Sequence, residues 1–401
     1  MNKNRLMKIS ILLLTVLLFS PYLYAQNYDE SKVGEYTLPD VLVTESGKKI
    51  TTKKEWEQTR RPEVLTLFEE HVYGQFPKKY DRLEYSVKNE DRNAMNGKAH
   101  LKEVELVITN NNKPVRINIV MFIPNNLKKP APAFLLINNR SKRNTAASRD
   151  TLSEFWPAEM VIDAGYALAA FHVSDAAPDN KNTYQNGVLE LYPEQINANN
   201  GMRAIGAWAW GASRVLDYFE KDKDIDAKKV AVVGHSRGGK ASLWAAAQDQ
   251  RFAICASNCS GNTGASLSRR NFGESVERIN TSFPHWFTTN YKQYNSNENA
   301  LPVDQHMLIA LVAPRPVYVT NASKDLWADP TGTFLAAKEA ESVYELYKLE
   351  SKLPQRPPAI DTPIVSPPIG YHNREGIHDL TKYDWARFLE FANNHYKKNV
   401  P

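Results

Sequence analysis

The chain has 401 residues, with 50 Lys and Arg against 45 Asp and Glu, a net charge of +5 and 42% hydrophobic residues. This composition is ordinary for a globular protein, and it excludes a disordered tail, a collagen-like rod and a multi-span membrane protein. Only 2 Cys in so long a chain exclude a disulfide-stapled miniprotein. A chain of this length can bury a sizeable core, and we expect one folded domain over residues 26–401.

Residues 1–25 have the pattern of a secretory signal peptide. A basic head precedes the apolar run Ile11–Phe19, which is too short to span a bilayer comfortably, and Ala25 offers a small residue for cleavage before Gln26. An uncleaved anchor is the alternative. Removing the three basic residues of the head from a net charge of +5 leaves +2. We therefore expect a periplasmic or secreted protein, without membrane attachment after cleavage and without nucleic acid as a partner.

Cys255 and Cys259 would lie in an oxidising compartment. On one strand their Cα atoms would be ~13 Å apart, too far for a disulfide. We expect two buried free thiols, and a redox or metal-binding pair is the alternative.

The first predicted elements are an arm, a helix and two strands. Residues 26–60 are polar and mixed, which indicates an extended arm over the body. Apolar residues at helical spacing predict a helix over Glu63–Tyr73, and Gly74 ends it. Ala99–Thr109 and Val115–Ile123 flank an Asn-Asn-Asn-Lys-Pro turn and predict an antiparallel pair at the edge of a sheet.

Short apolar strands then alternate with helices. The predicted strands are Ala133–Ile137, Tyr166–Val173, Lys229–Val233, Phe252–Ala256 and Pro316–Thr320. The predicted helices are Trp156–Ala164, Gly201–Phe219, Gly239–Ala247, Gly332–Leu349 and Thr381–Lys397. This alternation predicts an α/β protein whose mostly parallel sheet is covered by helices on both faces, a three-layer sandwich. Residues 174–200 and 260–300 lack regular periodicity and are expected to shape a ligand site above the strand ends. The Pro-rich stretch 354–368 indicates a surface loop.

The strongest local motif is Gly234-His235-Ser236-Arg237-Gly238, directly after a predicted strand and directly before a predicted helix. This is the strand–turn–helix context in which a G-x-S-x-G motif raises a nucleophilic serine above the sheet of an α/β hydrolase. An ordinary Gly-rich turn with a spectator serine is the alternative. We expect Ser236 to be a nucleophile.

A serine nucleophile needs a basic histidine, which in this fold follows the last strand. His372 and His378 qualify by position, and His235 should point away along the turn. His378 closely precedes the final helix, which suits a base on a loop, whereas His372 is consistent with a solvated loop residue. We favour His378.

The base needs an orienting carboxylate. Asp325 follows the predicted strand Pro316–Thr320, where this fold commonly supplies it. Asp329 is the rival, but it precedes Pro330 and a helix and is therefore a candidate helix cap. We favour Asp325, and a surface Asp without a role is the alternative for both.

Two cations accompany the nucleophile. The backbone N–H of Arg237 is an expected oxyanion donor, and its guanidinium could add a charged one. Lys240 lies one helical turn beyond Ser236. Both suggest a polar or acidic acyl group, unless both are simply solvated or paired.

The extended motif Gly-His-Ser-Arg-Gly-Gly-Lys (234–240) resembles the G-C-S-R-x-G-K signature of glucuronoyl esterases, carbohydrate esterase family 15. The resemblance also takes in segments 67–77, 325–330 and 376–379, covers most of the mature chain and is similar to the bacterial branch. It implies an α/β-hydrolase fold without a metal or other cofactor. It also implies cleavage of esters between 4-O-methyl-glucuronic acid on xylan and lignin alcohols.

The resemblance also implies individual roles. Ser236 would be the nucleophile and His378 the base, while Arg237 would stabilise the oxyanion with its side chain as well as its backbone. Lys240 and Glu274 would hold the sugar. Trp327 would line the pocket, with packing in the interior as its alternative role.

One departure concerns the acid. Fungal and some bacterial members carry a catalytic Glu after the strand that follows the nucleophile's helix, and the corresponding position here is Cys259. A thiol cannot orient a histidine as a carboxylate does, so the acid role falls on Asp325. We expect a monomer acting on glucuronoxylan or lignin–carbohydrate esters. A generic carbohydrate acyl esterase, such as an acetyl xylan esterase, and a non-catalytic carbohydrate-binding relative are the alternatives.

Overall fold

Nine strands form one mostly parallel sheet in the computed structural model, which describes residues 26–398. The strand order is β1-β2-β3-β5-β4-β6-β7-β8-β9. The strands are β1 (Arg82–Ala94), β2 (Ala99–Asn110), β3 (Lys113–Pro124), β4 (Ala131–Asn138), β5 (Ala167–His172), β6 (Ile225–His235), β7 (Ile254–Asn258), β8 (Val317–Ala322) and β9 (Ile369–Arg374). Strands β1, β2, β3 and β5 pair antiparallel in turn, and all pairs from β5 to β9 across the sheet are parallel. The predicted signal peptide lies outside the described residues.

Helices cover the sheet and connect its parallel strands. The longer ones are α1 (Arg61–Phe68), α2 (Ala158–Asp163), α3 (Ala204–Phe219), α4 (Arg237–Gln248), α5 (Val276–Ser282), α6 (Gln305–Ala310), α7 (Pro330–Glu339), α8 (Glu341–Leu346) and α9 (Lys382–Lys398). Helical turns flank α1 from Lys53 to Tyr73, and Gly74 ends the segment with a φ of 89°. The predicted end at Gly74 is thus confirmed, but the helical segment begins within the predicted arm.

The three-layer α/β arrangement is confirmed by which way the strand residues face. Leu135 and Ile137 of β4 belong to one buried apolar cluster, and Phe134 and Leu136 belong to a second one. Because successive side chains on a strand point to opposite faces, the sheet has a buried core on each side. The helix predicted over Gly201–Phe219 is present as α3, and almost all of its residues are buried on every side of the helix.

The elements differ from the predictions in four ways. The predicted pair β2–β3 is not at the edge, because β1 lies outside it. Strand β1 was missed because it is exposed along most of its length: Leu83, Tyr85 and Val87 alternate with polar residues, but residues 88–93 are all polar. Strand β9 was missed because it follows the Pro-rich stretch and is short. The helix predicted over Gly332–Leu349 is divided into α7 and α8 at Ala340.

The two predicted excursions, 174–200 and 260–300, contain only short helical pieces between β5 and α3 and between β7 and α6. Both lie beyond the carboxyl ends of parallel strands, as predicted. The assignment of all residues after the signal peptide to one domain stays a prediction. Within residues 26–398, every helix is too short or too polar to cross a bilayer.

Candidate active site

Ser236 lies on a sharp turn between β6 and α4. Its backbone has a positive φ of 55° with ψ −126°, and its N–H donates to the carbonyl of Asn258 at 2.8 Å. A Cβ on Gly234 would approach the carbonyl oxygen of Gly238 to 1.9 Å, so this turn requires glycine at 234. A non-glycine residue held at positive φ costs free energy and is typical of functional sites. The predicted strand–turn–helix around Ser236 is present.

Arg237 begins α4, where no preceding turn of helix supplies an acceptor for its backbone N–H. Its guanidinium Nε lies 2.6 Å from a carboxylate oxygen of Asp179. The other oxygen of Asp179 accepts from His285 Nε2 and from Trp286 Nε1, each at 2.8 Å. Burial opposes ionisation of Asp179, but the His285 hydrogen bond and the Arg237 charge outweigh burial and lower its pKa. The Arg237 side chain is therefore held by a permanent anion beside Ser236.

His378 and Asp325 form the predicted pair. His378 Nδ1 donates to Asp325 Oδ2 at 2.5 Å, with Asp325 buried and His378 38% exposed. The ring of His235, the neighbour of Ser236, lies 4.6 Å from the ring of His378. The base candidate thus lies against the turn that carries Ser236.

His235 does not point away from the base, contrary to the expectation. Arg140 donates to its Nε2 at 3.1 Å, so its Nδ1–H donates to Asn258 Oδ1 at 2.6 Å. Burial, together with the charges of His378 and Arg140, lowers the pKa of His235 well below its usual range. His235 is a neutral imidazole that packs against His378.

Neither His372, the rival for the base, nor Asp329, the rival for the acid, belongs to the His378–Asp325 pair. His372 is not a solvated loop residue, because it is fully buried on β9 and hydrogen-bonded to Asp384 at 2.8 Å. Asp329 caps α7 by accepting from the Gly332 N–H at 2.8 Å, and it pairs with Arg270 at 2.9 Å. The capping role considered for Asp329 is confirmed.

Cys259 lies beside the His378–Asp325 pair. One ligand atom each of Cys259, Asp325 and His378 lie within 4.8 Å of one another, and this is the one such group within residues 26–398. Burial raises the pKa of the Cys259 thiol well above its usual range. In this group Asp325 Oδ2 accepts from His378 Nδ1. Both cysteines are buried and free, as predicted.

Lys240 and Glu274 form a buried ion pair. Lys240 Nζ lies 2.8 Å from Glu274 Oε2, and it donates to the carbonyls of Ser260 at 2.8 Å and of Asn262. Their side chains are 2% and 5% exposed. Burial lowers the pKa of Lys240 and outweighs the opposing charge of Glu274. Trp327 is half-buried, and its backbone carbonyl accepts from the Glu274 N–H at 2.9 Å. This hydrogen bond joins the segment after Asp325 to the ion pair.

The structure adds partners that no motif marked. Asp179 comes from the excursion 174–200, and Glu274, His285 and Trp286 come from 260–300. The lack of periodicity located these segments above the strands but gave no residue within them, because ion pairs that the chain forms at a distance leave no local pattern. Only Glu274 was named, and it was named through the family resemblance.

The parallel sheet and the serine on the turn between β6 and α4 define an α/β hydrolase. A family model described as "Glucuronyl esterase, fungi" matches residues 106–347. Carbohydrate esterase MZ0003 from an unknown prokaryotic organism is 42% identical, over 94% of this chain and 94% of that protein. The solved glucuronoyl esterase of Solibacter usitatus has a TM-score of 0.85 at 39% identity, over 91% of this chain and 100% of that chain. The 4-O-methyl-glucuronoyl methylesterase of Schizophyllum commune is 28% identical, over 84% of this chain and 82% of that protein. The chain belongs to the glucuronoyl esterase family, as the resemblance implied.

Proposed function

We propose that this protein hydrolyses esters of (4-O-methyl-)glucuronic acid on glucuronoxylan, including lignin–carbohydrate ester links, through an acyl-enzyme on Ser236. The observation that carries the proposal is the His378–Asp325 hydrogen bond of 2.5 Å beside the turn of Ser236. It occurs in a chain of the glucuronoyl esterase family. A base oriented by a buried carboxylate beside a raised serine is the arrangement that acyl transfer uses.

The reaction has two steps. In the first, His378 removes the proton of the Ser236 hydroxyl as the oxygen attacks the C6 carbonyl of the glucuronate, and the alcohol leaves with that proton. In the second, His378 removes a proton from water as the water attacks the acyl-enzyme, and it returns that proton to the Ser236 oxygen as the ester bond breaks and glucuronate is released. The backbone N–H and the guanidinium of Arg237 stabilise the oxyanion in both steps.

The acyl specificity rests on Lys240, Glu274 and Trp327. The three N–H groups of Lys240 are taken up by Glu274 and the carbonyls of Ser260 and Asn262, so Lys240 fixes the Glu274 carboxylate, whose other oxygen serves as the acceptor for a sugar hydroxyl. Trp327 contributes an apolar wall, and its partial exposure supports this role over interior packing. A generic acyl esterase does not select a uronic acid and would not need this buried ion pair. The reaction needs no metal, since the serine supplies the nucleophile and Arg237 the positive charge.

Ester assays with three substrates test the proposal. We expect fast hydrolysis of methyl glucuronate, slower hydrolysis of methyl galacturonate and little release of acetate from acetylated xylan. Ser236→Ala should abolish turnover of methyl glucuronate while the purified variant remains folded. Near-normal turnover by that variant would refute the assignment, and preferential acetate release would favour an acetyl xylan esterase. Binding of glucuronoxylan without hydrolysis of any ester would favour a non-catalytic relative.

The cellular setting is also proposed. The basic head, the apolar run and Ala25 support export with cleavage before Gln26, to the periplasm or beyond. N-terminal sequencing of the exported protein tests the cleavage point, and light scattering tests the expected monomer.

A further inference from the structure

His378 lies on a short segment between β9 and α9, at residues 375–381. Leu380 is buried in an apolar cluster and anchors the end next to α9, but the neighbouring Ile377 is 67% exposed, so apolar packing does not hold the backbone at His378 itself. A general base must nevertheless keep its ring in one orientation, because a misplacement of about 1 Å can cost about a hundredfold in rate. Something other than core packing therefore has to fix the backbone at His378.

Arg374, the last residue of β9, contacts this backbone on both sides of His378. Its Nη2 donates to the carbonyl of Ile377 at 3.1 Å and to the carbonyl of Asp379 at 2.8 Å. Its Nη1 donates to the carbonyl of Glu375 at 3.2 Å. One buried guanidinium thus binds three carbonyls of the segment, including the two that flank the base.

Asp384, in the first turn of α9, fixes the guanidinium from the other side. Its two oxygens accept from Arg374 Nε at 3.2 and 3.0 Å. It also accepts from the Thr381 N–H at 2.7 Å and from His372 Nε2 at 2.8 Å. Burial opposes ionisation of Asp384, but the His372 hydrogen bond and the charges of His372 and Arg374 outweigh it and lower the pKa. His372 is itself hydrogen-bonded to the Tyr318 hydroxyl at 3.0 Å, so the network is anchored in strands β8 and β9.

We propose that Arg374, held by Asp384, is a positioning residue that fixes the orientation of His378, and this inference rests on the proposed function. Arg374 does not reach the reacting atoms. It acts through the carbonyls of Ile377 and Asp379, which set the direction of the His378 side chain. The same network explains the role of His372, which is hydrogen-bonded to Asp384 and is not the base for Ser236.

The test compares Arg374→Gln and Arg374→Lys with wild type on methyl glucuronate. We expect Arg374→Gln to lower kcat about tenfold to a hundredfold with KM within twofold, since the contacts proposed for the sugar are untouched. Arg374→Lys should recover part of kcat, because an ammonium can bind one or two of the three carbonyls.

Arg315 offers a matched control. Its guanidinium also donates to three carbonyls, those of Ala246, Asp249 and Phe252, at 2.7, 3.2 and 3.0 Å. These carbonyls lie at the far end of α4 and before β7, away from His378. Arg315→Gln should lower the melting temperature as Arg374→Gln does, but leave kcat near wild type. Equal effects of the two variants on kcat would reduce Arg374 to a general structural role and overturn the inference.

A second readout does not depend on the substrate. Inactivation by a fluorophosphonate needs Ser236 activated by His378 but no uronic acid. Arg374→Gln should slow this inactivation by a factor similar to the loss of kcat. If wild type reacts with the fluorophosphonate but does not hydrolyse methyl glucuronate, the proposed function fails while the inference is still tested. If inactivation is unchanged in Arg374→Gln, the inference fails alone.

Discussion

At the scale of single residues, the chemistry of two side chains beside His378 decides which of them is the acid of the triad. Cys259 and Asp325 both lie beside His378, within 4.8 Å of each other. Burial raises the pKa of Cys259 well above its usual range, so that side chain is a neutral thiol. Only Asp325 can stabilise the imidazolium that forms when His378 takes the serine proton.

Asp325→Asn is therefore expected to lower kcat by about 10⁴, the loss known for this change in a serine–histidine–aspartate triad. Adding Cys259→Glu in that background should restore part of kcat, because position 259 also reaches His378. Steady-state kinetics on methyl glucuronate measure both effects. Cys259→Ser serves as the control and should stay close to wild type, and a large loss in that variant would contradict the division of roles.

The Lys240–Glu274 pair predicts an asymmetry in stability. Lys240→Met leaves a buried carboxylate without its cation, which costs about 3–5 kcal/mol in comparable buried pairs. The double variant Lys240→Met, Glu274→Met removes both charges and should lose less. Urea unfolding of wild type, the single variant and the double variant measures the difference. A double variant less stable than Lys240→Met would show that the pair is worth more than its desolvation cost.

At the scale of elements, the sequence could predict two kinds of strand: β2 and β3, which flank a clear turn, and the central strands buried on both faces. The runs that became β4, β5, β6, β7 and β8 are apolar and bounded by turn residues. Strand β1 alternates only from Leu83 to Val87, and its polar second half is specified by its partner β2 and not by its own pattern. Strand β9 was hidden by its place after the Pro-rich stretch. Ser236 and Asp325 were predictable because they follow predicted strands, and His378 because it precedes the predicted final helix, whereas Asp179 lies in a segment without periodicity.

Gly370 of β9 lies so close to aromatic rings of β8 and α9 that no larger residue fits at this position. A Cβ at this position would lie 2.2 and 2.5 Å from ring atoms of Tyr318 and 3.0 Å from Phe391. Gly370→Ala is therefore expected to push Tyr318 away from its neighbour His372 and to destabilise the protein by about 1–3 kcal/mol, the usual cost of overpacking. Urea unfolding measures the loss. Unchanged stability would mean that α9 can move away from the sheet without cost.

At the scale of the whole molecule, buried histidines govern the response to mild acid. Burial lowers the pKa below 6.5 in five of the 9 His: His71, His172, His235, His306 and His395. The unfolded chain therefore binds more protons than the folded one as pH falls below 6.5. Stability is fully present above that pH and is lost below it, at up to about 1.4 kcal/mol per pH unit for each such proton.

The urea midpoint should consequently be lower at pH 5.5 than at pH 7.5. Glu69 and Glu298, whose pKa is raised by burial, take up protons more readily in the folded state and oppose part of this loss. His306→Gln keeps a donor for the carbonyl of Pro39, 2.9 Å from His306 Nε2, and should flatten the dependence by removing one titrating group. A midpoint that does not change between the two pH values would contradict the prediction.

The first described residues dock next to the Lys240–Glu274 pair. The Gly273 N–H donates to the carbonyl of Asn27 at 2.8 Å, and Arg270 binds Glu30 at 2.9 and 2.7 Å. Glu274 follows Gly273 directly, so any residues fused ahead of Asn27 would emerge beside the proposed sugar subsite. For enzyme preparation, the choice of amino-terminal tag, and whether it is cut off, is consequently an experimental variable in affinity measurements on this protein.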